Sequence, residues 1–116
     1  MNATAKIRYS GSIAIIDLVG RITLADGLGM MREAIQREIQ AGYKYVLLNL
    51  AGVSYVDSAG LGEMASAYIK LTQLAGKMKL VHAQQKVQSM LKLTGLSTLL
   101  TTYGSEAEAL ASFGVK

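Results

Sequence analysis

The feature that most restricts this chain is the run Tyr45-Val46-Leu47-Leu48-Asn49-Leu50, which is apolar at nearly every position rather than at every second one. A strand with one wet face alternates, whereas a strand that is apolar on both sides of its pleat has to be covered on both. Ile13 to Val19 is a second strongly apolar run of strand length. Strands of this kind, separated by segments of helical period, call for a sheet flanked by helices.

The segments between the runs supply those helices. From Leu28 the pattern turns helical, with Leu28, Met31, Ile35, Ile39 and Gly42 on one side and Arg32, Glu33, Gln36, Arg37 and Gln40 on the other. Gly42 suits the left-handed residue that ends a helix. A second helix is expected from Ser58 to Leu74, with Leu61, Met64, Ala65, Tyr68 and Thr72 inward. Met78 to Ala83 reads as a strand, and Val87 to Thr94 as a short helix stopped by Gly95. Leu99 to Tyr103 reads as a weaker strand. Ser105 with Glu108 three residues on forms a capping box and opens a last helix with Ala107, Leu110 and Ala111 inward. At the other end Ile7 and Tyr9 alternate with Lys6 and Arg8, and Ser10-Gly11-Ser12 offers the turn of a hairpin into Ile13. The expectation is one α/β domain over residues 1–116: a mixed β-sheet of about four to five strands, about four helices, and right-handed crossovers between parallel neighbours.

Composition narrows the function. The 116 residues suffice for one domain and are too few for two; at this size roughly 65% of the unfolded surface can be buried. Cysteine is absent, which rules out a disulfide framework or thiolate metal site and fits a reducing compartment. Met1 to Tyr9 lacks the apolar core of a signal peptide, and no stretch approaches the ~18 apolar residues that cross a bilayer, so a cytoplasmic location without membrane insertion is expected. The net charge of +4 comes from dispersed lysines and arginines without a stacking platform of aromatics. That argues against nucleic acid while favouring an acidic partner. No metal and no cofactor is called for.

The informative stretch is Val53-Ser54-Tyr55-Val56-Asp57-Ser58-Ala59-Gly60-Leu61-Gly62, expected as a loop between the buried strand and the second helix. Ligands and partners of open α/β sheets sit at that end. Gly60 and Gly62 fall in the first turns of a helix, where each is about 1 kcal/mol worse than alanine. Leu61 occupies the position where a capping box after Ser58 would need an acid or amide. Free backbone N–H groups and the helix dipole at such an end suit an anion, including a phosphate carried by Ser58. The plainer reading of the same spacing is that Asp57 or Ser58 is an N-cap and the glycines permit close packing.

Asp57-Ser58-Ala59-Gly60-Leu61-Gly62 resembles the Asp-Ser-Ser/Thr/Ala-Gly-Leu-Gly signature of bacterial STAS domains, the anti-sigma factor antagonists. Gly20-Arg21-Ile22, Leu47-Leu48-Asn49-Leu50, Val53 to Asp57 and Thr94-Gly95-Leu96 match as well and occur in the family's order. The resemblance implies a protein-binding switch. Ser58 is phosphorylated by an anti-sigma factor serine kinase, Asp57 positions it, the unphosphorylated antagonist sequesters that kinase, and a serine phosphatase resets it. The chain departs from the pattern at Thr23, where many members carry an acid. Asp26 is the nearest one, and either stands in or caps the first helix. Ala59 replaces the commoner second hydroxyl, and Glu63 adds a charge beside the switch, as a solvated first-turn acid or as a modifier of kinase preference.

Other readings are weaker. STAS domains also serve in stressosomes, in lipid-transport assemblies and as regulatory tails of anion transporters. A carrier protein would also place serine at a helix start, but carriers are acidic helical bundles, and this chain is basic with several apolar strands. A hydrolase of Ser58, His82 and Asp57 lacks the Gly-x-Ser-x-Gly elbow. The expectation is therefore a protein that is not an enzyme. A monomer is the plainer state, with a weak dimer through exposed Tyr and Met the alternative.

Overall fold

The computed structural model describes residues 3–116. Thr4–Ser10 (β1) turns into Ile13–Ile22 (β2), followed by Leu28–Gln40 (α1), Tyr45–Val56 (β3), Ser58–Gln73 (α2), Lys77–Val81 (β4), Gln85–Leu93 (α3), Thr102–Tyr103 (β5) and Glu106–Ser112 (α4). The five strands lie in the order β1-β2-β3-β4-β5. β1 runs antiparallel to β2, and every other neighbouring pair is parallel. This is the mixed-sheet α/β domain expected.

The continuous apolar runs have the cause inferred for them. Ile16, Leu18, Val46 and Leu48 point to one face and pack with Met31 and Ile35 of α1, Leu61, Met64 and Leu71 of α2, and Val87 and Leu91 of α3. Ile13, Ile15, Leu47 and Val81 point to the other face, against Ala109 and Phe113 at the last helix. Alternate side chains of one strand thus serve two cores. Arg8 clamps the smaller layer, holding Asp17 of the sheet and Glu106 of α4 at 2.7 Å each. That guanidinium keeps both carboxyls below the usual carboxylate range.

Four expectations need correction. Val53–Val56 is not a loop. β3 continues through it, with irregular pairing against β2 between Asp17 and Val19 and between Gly20 and Arg21. Asp17 pairs with Asn49 and Val19 with Gly52, so β3 carries an extra residue there, and another before Tyr55. The bulges hide the strand from a period-2 reading while returning Val53 and Val56 to the main core. α2 is rotated from the expected face: Ala67 and Leu71 are buried, and Thr72 is exposed with its hydroxyl donating to the Tyr68 carbonyl. Ala109 of the last helix and Phe113 at its C-cap are buried, whereas Ala107 and Ala111 are exposed. The last strand keeps only Thr102–Tyr103, because the Leu99 and Leu100 N–H groups both donate to the Leu96 carbonyl and close the 3-10 turn that begins at Leu96. α1 also buries a residue outside its apolar stripe. Glu38 is 3% exposed and accepts a 2.6 Å hydrogen bond from the Tyr9 hydroxyl of β1.

Candidate functional site

The C-terminal ends of β2 and β3, the loop 23–27 and the start of α2 meet around Asp57. This residue is the N-cap of α2, with extended backbone. Its Oδ1 accepts from the Gly60 N–H at 2.8 Å and its Oδ2 from the Leu24 N–H at 3.0 Å. Its own N–H donates to the Ile22 carbonyl at 3.2 Å. The Leu24 N–H first, and that of Gly60 next, hold the Asp57 carboxyl below the usual carboxylate range. One carboxylate thus fastens the loop to the helix mouth. The part played by Leu24 was not foreseen, because a backbone donor leaves no trace in residue type; an exposed leucine in a loop is the only hint.

Ser58 is the first helical residue and is exposed, and its hydroxyl has no hydrogen-bond partner among the described residues. Ala59 is half-buried and packs against the core, and Leu61 belongs to it. The two glycines differ. A Cβ on Gly60 would overlap the Ile22 carbonyl oxygen and lie 2.7 Å from Val56 Cγ1, so close packing of α2 on β2 requires glycine. A Cβ on Gly62 would meet nothing within 4 Å. Gly60 therefore has the packing reason proposed for both, and Gly62 does not.

Thr23 and Asp26 close the loop. The buried Thr23 accepts the Asp26 N–H at its hydroxyl at 3.0 Å, and its carbonyl accepts the Leu28 N–H at 3.2 Å. Asp26 does not cap α1. The N-cap is Gly27, with φ 78 and no side-chain hydrogen bond. The Asp26 carboxylate is exposed beside the site, without a partner among the described residues. Glu63 is not freely solvated: it pairs with Arg32 of α1 at 2.9 Å and is 17% exposed. A charge committed to joining two helices is less available to a partner.

The structure does not bring the three residues of the hydrolase alternative together as a hydrogen-bonded set. Both Asp57 oxygens face backbone donors, and no hydrogen bond joins any two of Ser58, His82 and Asp57 among the described residues. His82 is exposed at the end of β4. No group of three or more His, Asp or Glu among the described residues could hold a metal ion.

A five-stranded mixed sheet with a capped helix presenting an open serine defines a class of small α/β domains. The chain belongs to the STAS domain family, whose model matches residues 4–109. It is 28% identical over 118 residues to an anti-sigma F factor antagonist of Paenibacillus polymyxa, covering 99% of this chain and 98% of that protein. Among solved structures it superposes on an anti-sigma factor antagonist from Mycobacterium paratuberculosis with a TM-score of 0.87 at 19% identity, over 98% of this chain and 96% of that one. It also superposes on the Bacillus cell-fate determinant SpoIIAA in its phosphorylated form, with a TM-score of 0.72 at 20% identity, over 94% of this chain and 98% of that one. At such identities the two structures speak for the fold.

Proposed function

We propose that this protein is an anti-sigma factor antagonist: unphosphorylated, it sequesters an anti-sigma factor serine kinase, and phosphorylation of Ser58 by that kinase releases it until a serine phosphatase removes the group. The observation that carries this reading is the position of Ser58, exposed with an unengaged hydroxyl on a helix mouth that Asp57 has already built. The full-length relative from Paenibacillus polymyxa, an anti-sigma F factor antagonist, supports the antagonist part of this reading.

The physical case concerns what a phosphate changes and what it leaves alone. Phosphorylation adds about −1.5 to −2 charges at neutral pH. At a helix N-terminus the dipole favours such a group by ~0.3–1 kcal/mol, so the fold tolerates it. The neighbouring Asp57 carboxylate is already engaged by two N–H donors, which offsets its repulsion of the new charge. At a packed interface the same phosphate adds bulk and has to be desolvated, and docking fails. No helix among the described residues is long and apolar enough to cross a membrane.

The test is calorimetric titration of the cognate kinase with Ser58→Ala and Ser58→Asp. The alanine variant is expected to stay bound and the aspartate variant to release, with thermal midpoints close to wild type. Equal affinity of the two variants for the kinase refutes the switch.

A further inference from the structure

The α4 side of the sheet is only half covered. α4 is seven residues long and packs on Ile13, Ile15 and Leu47, toward the starts of β2 and β3, and on Val81, the end of the short β4, which pairs with Asn49 in the first half of β3. Beyond it, on the same face of β2, come Val19, 48% exposed, and Arg21, also exposed. Arg21 lies opposite Tyr55 of β3 in the β2–β3 register, and its guanidinium carbon stands 5.5 Å from the Tyr55 ring centroid. Lys86, from the first turn of α3, brings its ammonium to 5.2 Å from the same ring. The lead-in to α3 is tied down by Gln84, whose side-chain amide donates to the Ala51 carbonyl at 2.9 Å.

Arg21 and Lys86 are both without a carboxylate partner among the described residues, whereas Arg32 and Arg37 each have one and Arg8 has two. A guanidinium lying over an aromatic ring is partly stripped of water and still has donors for a carboxylate. Two such cations about one ring, beside an exposed valine, form a surface that is basic and partly apolar. The complementary chemistry is a segment carrying carboxylates and an apolar side chain. A nucleic-acid strand is the poorer match, since one half-buried tyrosine is not a run of stacking platforms.

The geometry points to Arg21, Tyr55 and Lys86 as a docking surface for an acidic segment of the protein partner, separate from the Ser58 hydroxyl but continuous with its site. Arg21 precedes Ile22, whose carbonyl receives the Asp57 N–H, and Tyr55 stands two residues before Asp57. This inference rests on the protein-docking reading above, and it supplies the chemistry of the partner's contact surface.

Two measurements test it together. The first is binding of the cognate kinase to wild type, to the double variant Arg21→Glu/Lys86→Glu and to the neutral Arg21→Gln/Lys86→Gln, each first shown by its amide spectrum to be folded. The reversal is expected to weaken binding about tenfold or more, chiefly through the association rate and more strongly at low salt, with the neutral pair between it and wild type. The second is an amide-shift titration of the wild-type protein with a blocked Glu-rich decapeptide, its Lys-rich counterpart and a single-stranded DNA oligomer. Shifts at Arg21, Tyr55 and Lys86 with the acidic peptide alone uphold the surface. Undiminished kinase binding by the charge-reversed protein overturns it and leaves the Ser58 switch standing. If wild type binds no such kinase, the Ser58 reading fails and the titration alone decides: no shifts there, or stronger ones with DNA, overturn the surface.

Discussion

Alanine placed at Gly60 and at Gly62 is the same chemical change two residues apart in one helix, yet the expected effects have opposite signs. Both positions have helical backbone without a positive φ, so each substitution gains about 1 kcal/mol of helix propensity. At Gly62 nothing opposes this gain, since the added methyl meets no atom within 4 Å. Gly62→Ala is therefore expected to be about 0.5–1 kcal/mol more stable than wild type. At Gly60 the methyl overlaps the Ile22 carbonyl oxygen and comes within 2.7 Å of Val56 Cγ1. Backbone cannot rotate aside as a side chain can, so α2 has to move away from β2. That movement stretches the 3.2 Å bond from the Asp57 N–H to Ile22. Overpacking of this kind costs up to about 3 kcal/mol, and lost hydrogen bonding adds to it. Against the propensity gain, a net loss of about 2 kcal/mol remains for Gly60→Ala. Urea unfolding of the three proteins at one temperature measures both differences, with unchanged slopes confirming that only stability moved. A Gly60→Ala protein as stable as wild type, or a Gly62→Ala protein less stable than it, refutes this account of the helix mouth. If the open surface at Gly62 is also where the kinase seats, Gly62→Ala gains stability and loses kinase affinity.

Asp57→Asn keeps an acceptor for Gly60 but presents an amide to Leu24, so the Leu24 amide is expected to exchange with solvent faster in the variant, as measured by hydrogen exchange. Because the Asp57 carboxyl is held below its unfolded value, its contribution is full above about pH 4 and is lost as pH falls through the folded-state pKa. The stability gap between wild type and Asp57→Asn should accordingly be widest near neutrality and close in acid; a constant gap in urea melts across that range contradicts the assignment. Phe113→Ala removes a fully buried ring that meets Tyr45 edge-on at 6.3 Å, and is expected to cost about 3–5 kcal/mol in the same unfolding assay. A cost under about 1 kcal/mol there would mean that α4 contributes little to the second core.

The sequence alone determined the order and type of the elements, the single α/β layer plan and the placement of Asp57 and Ser58 at a helix mouth. These are consequences of local period: apolar runs long enough to need two covers, helical stripes between them, and Gly42 and Gly95 where helices stop with positive φ. Tertiary structure decided whatever depends on two segments meeting. It carried β3 through Ser54 by bulges against β2, and it turned α4 so that Phe113 rather than Ala111 is buried. It placed Glu38 in the interior because Tyr9 of another element supplies its hydrogen bond. It also gave the site its detail. Thr23 and Asp26 close a loop on each other, Leu24 reaches Asp57 through its backbone, and Gly60 but not Gly62 stands against a neighbouring strand. Residue type records what a position can donate, accept or fill, whereas the partner that draws on it is fixed only when distant parts of the chain pack together.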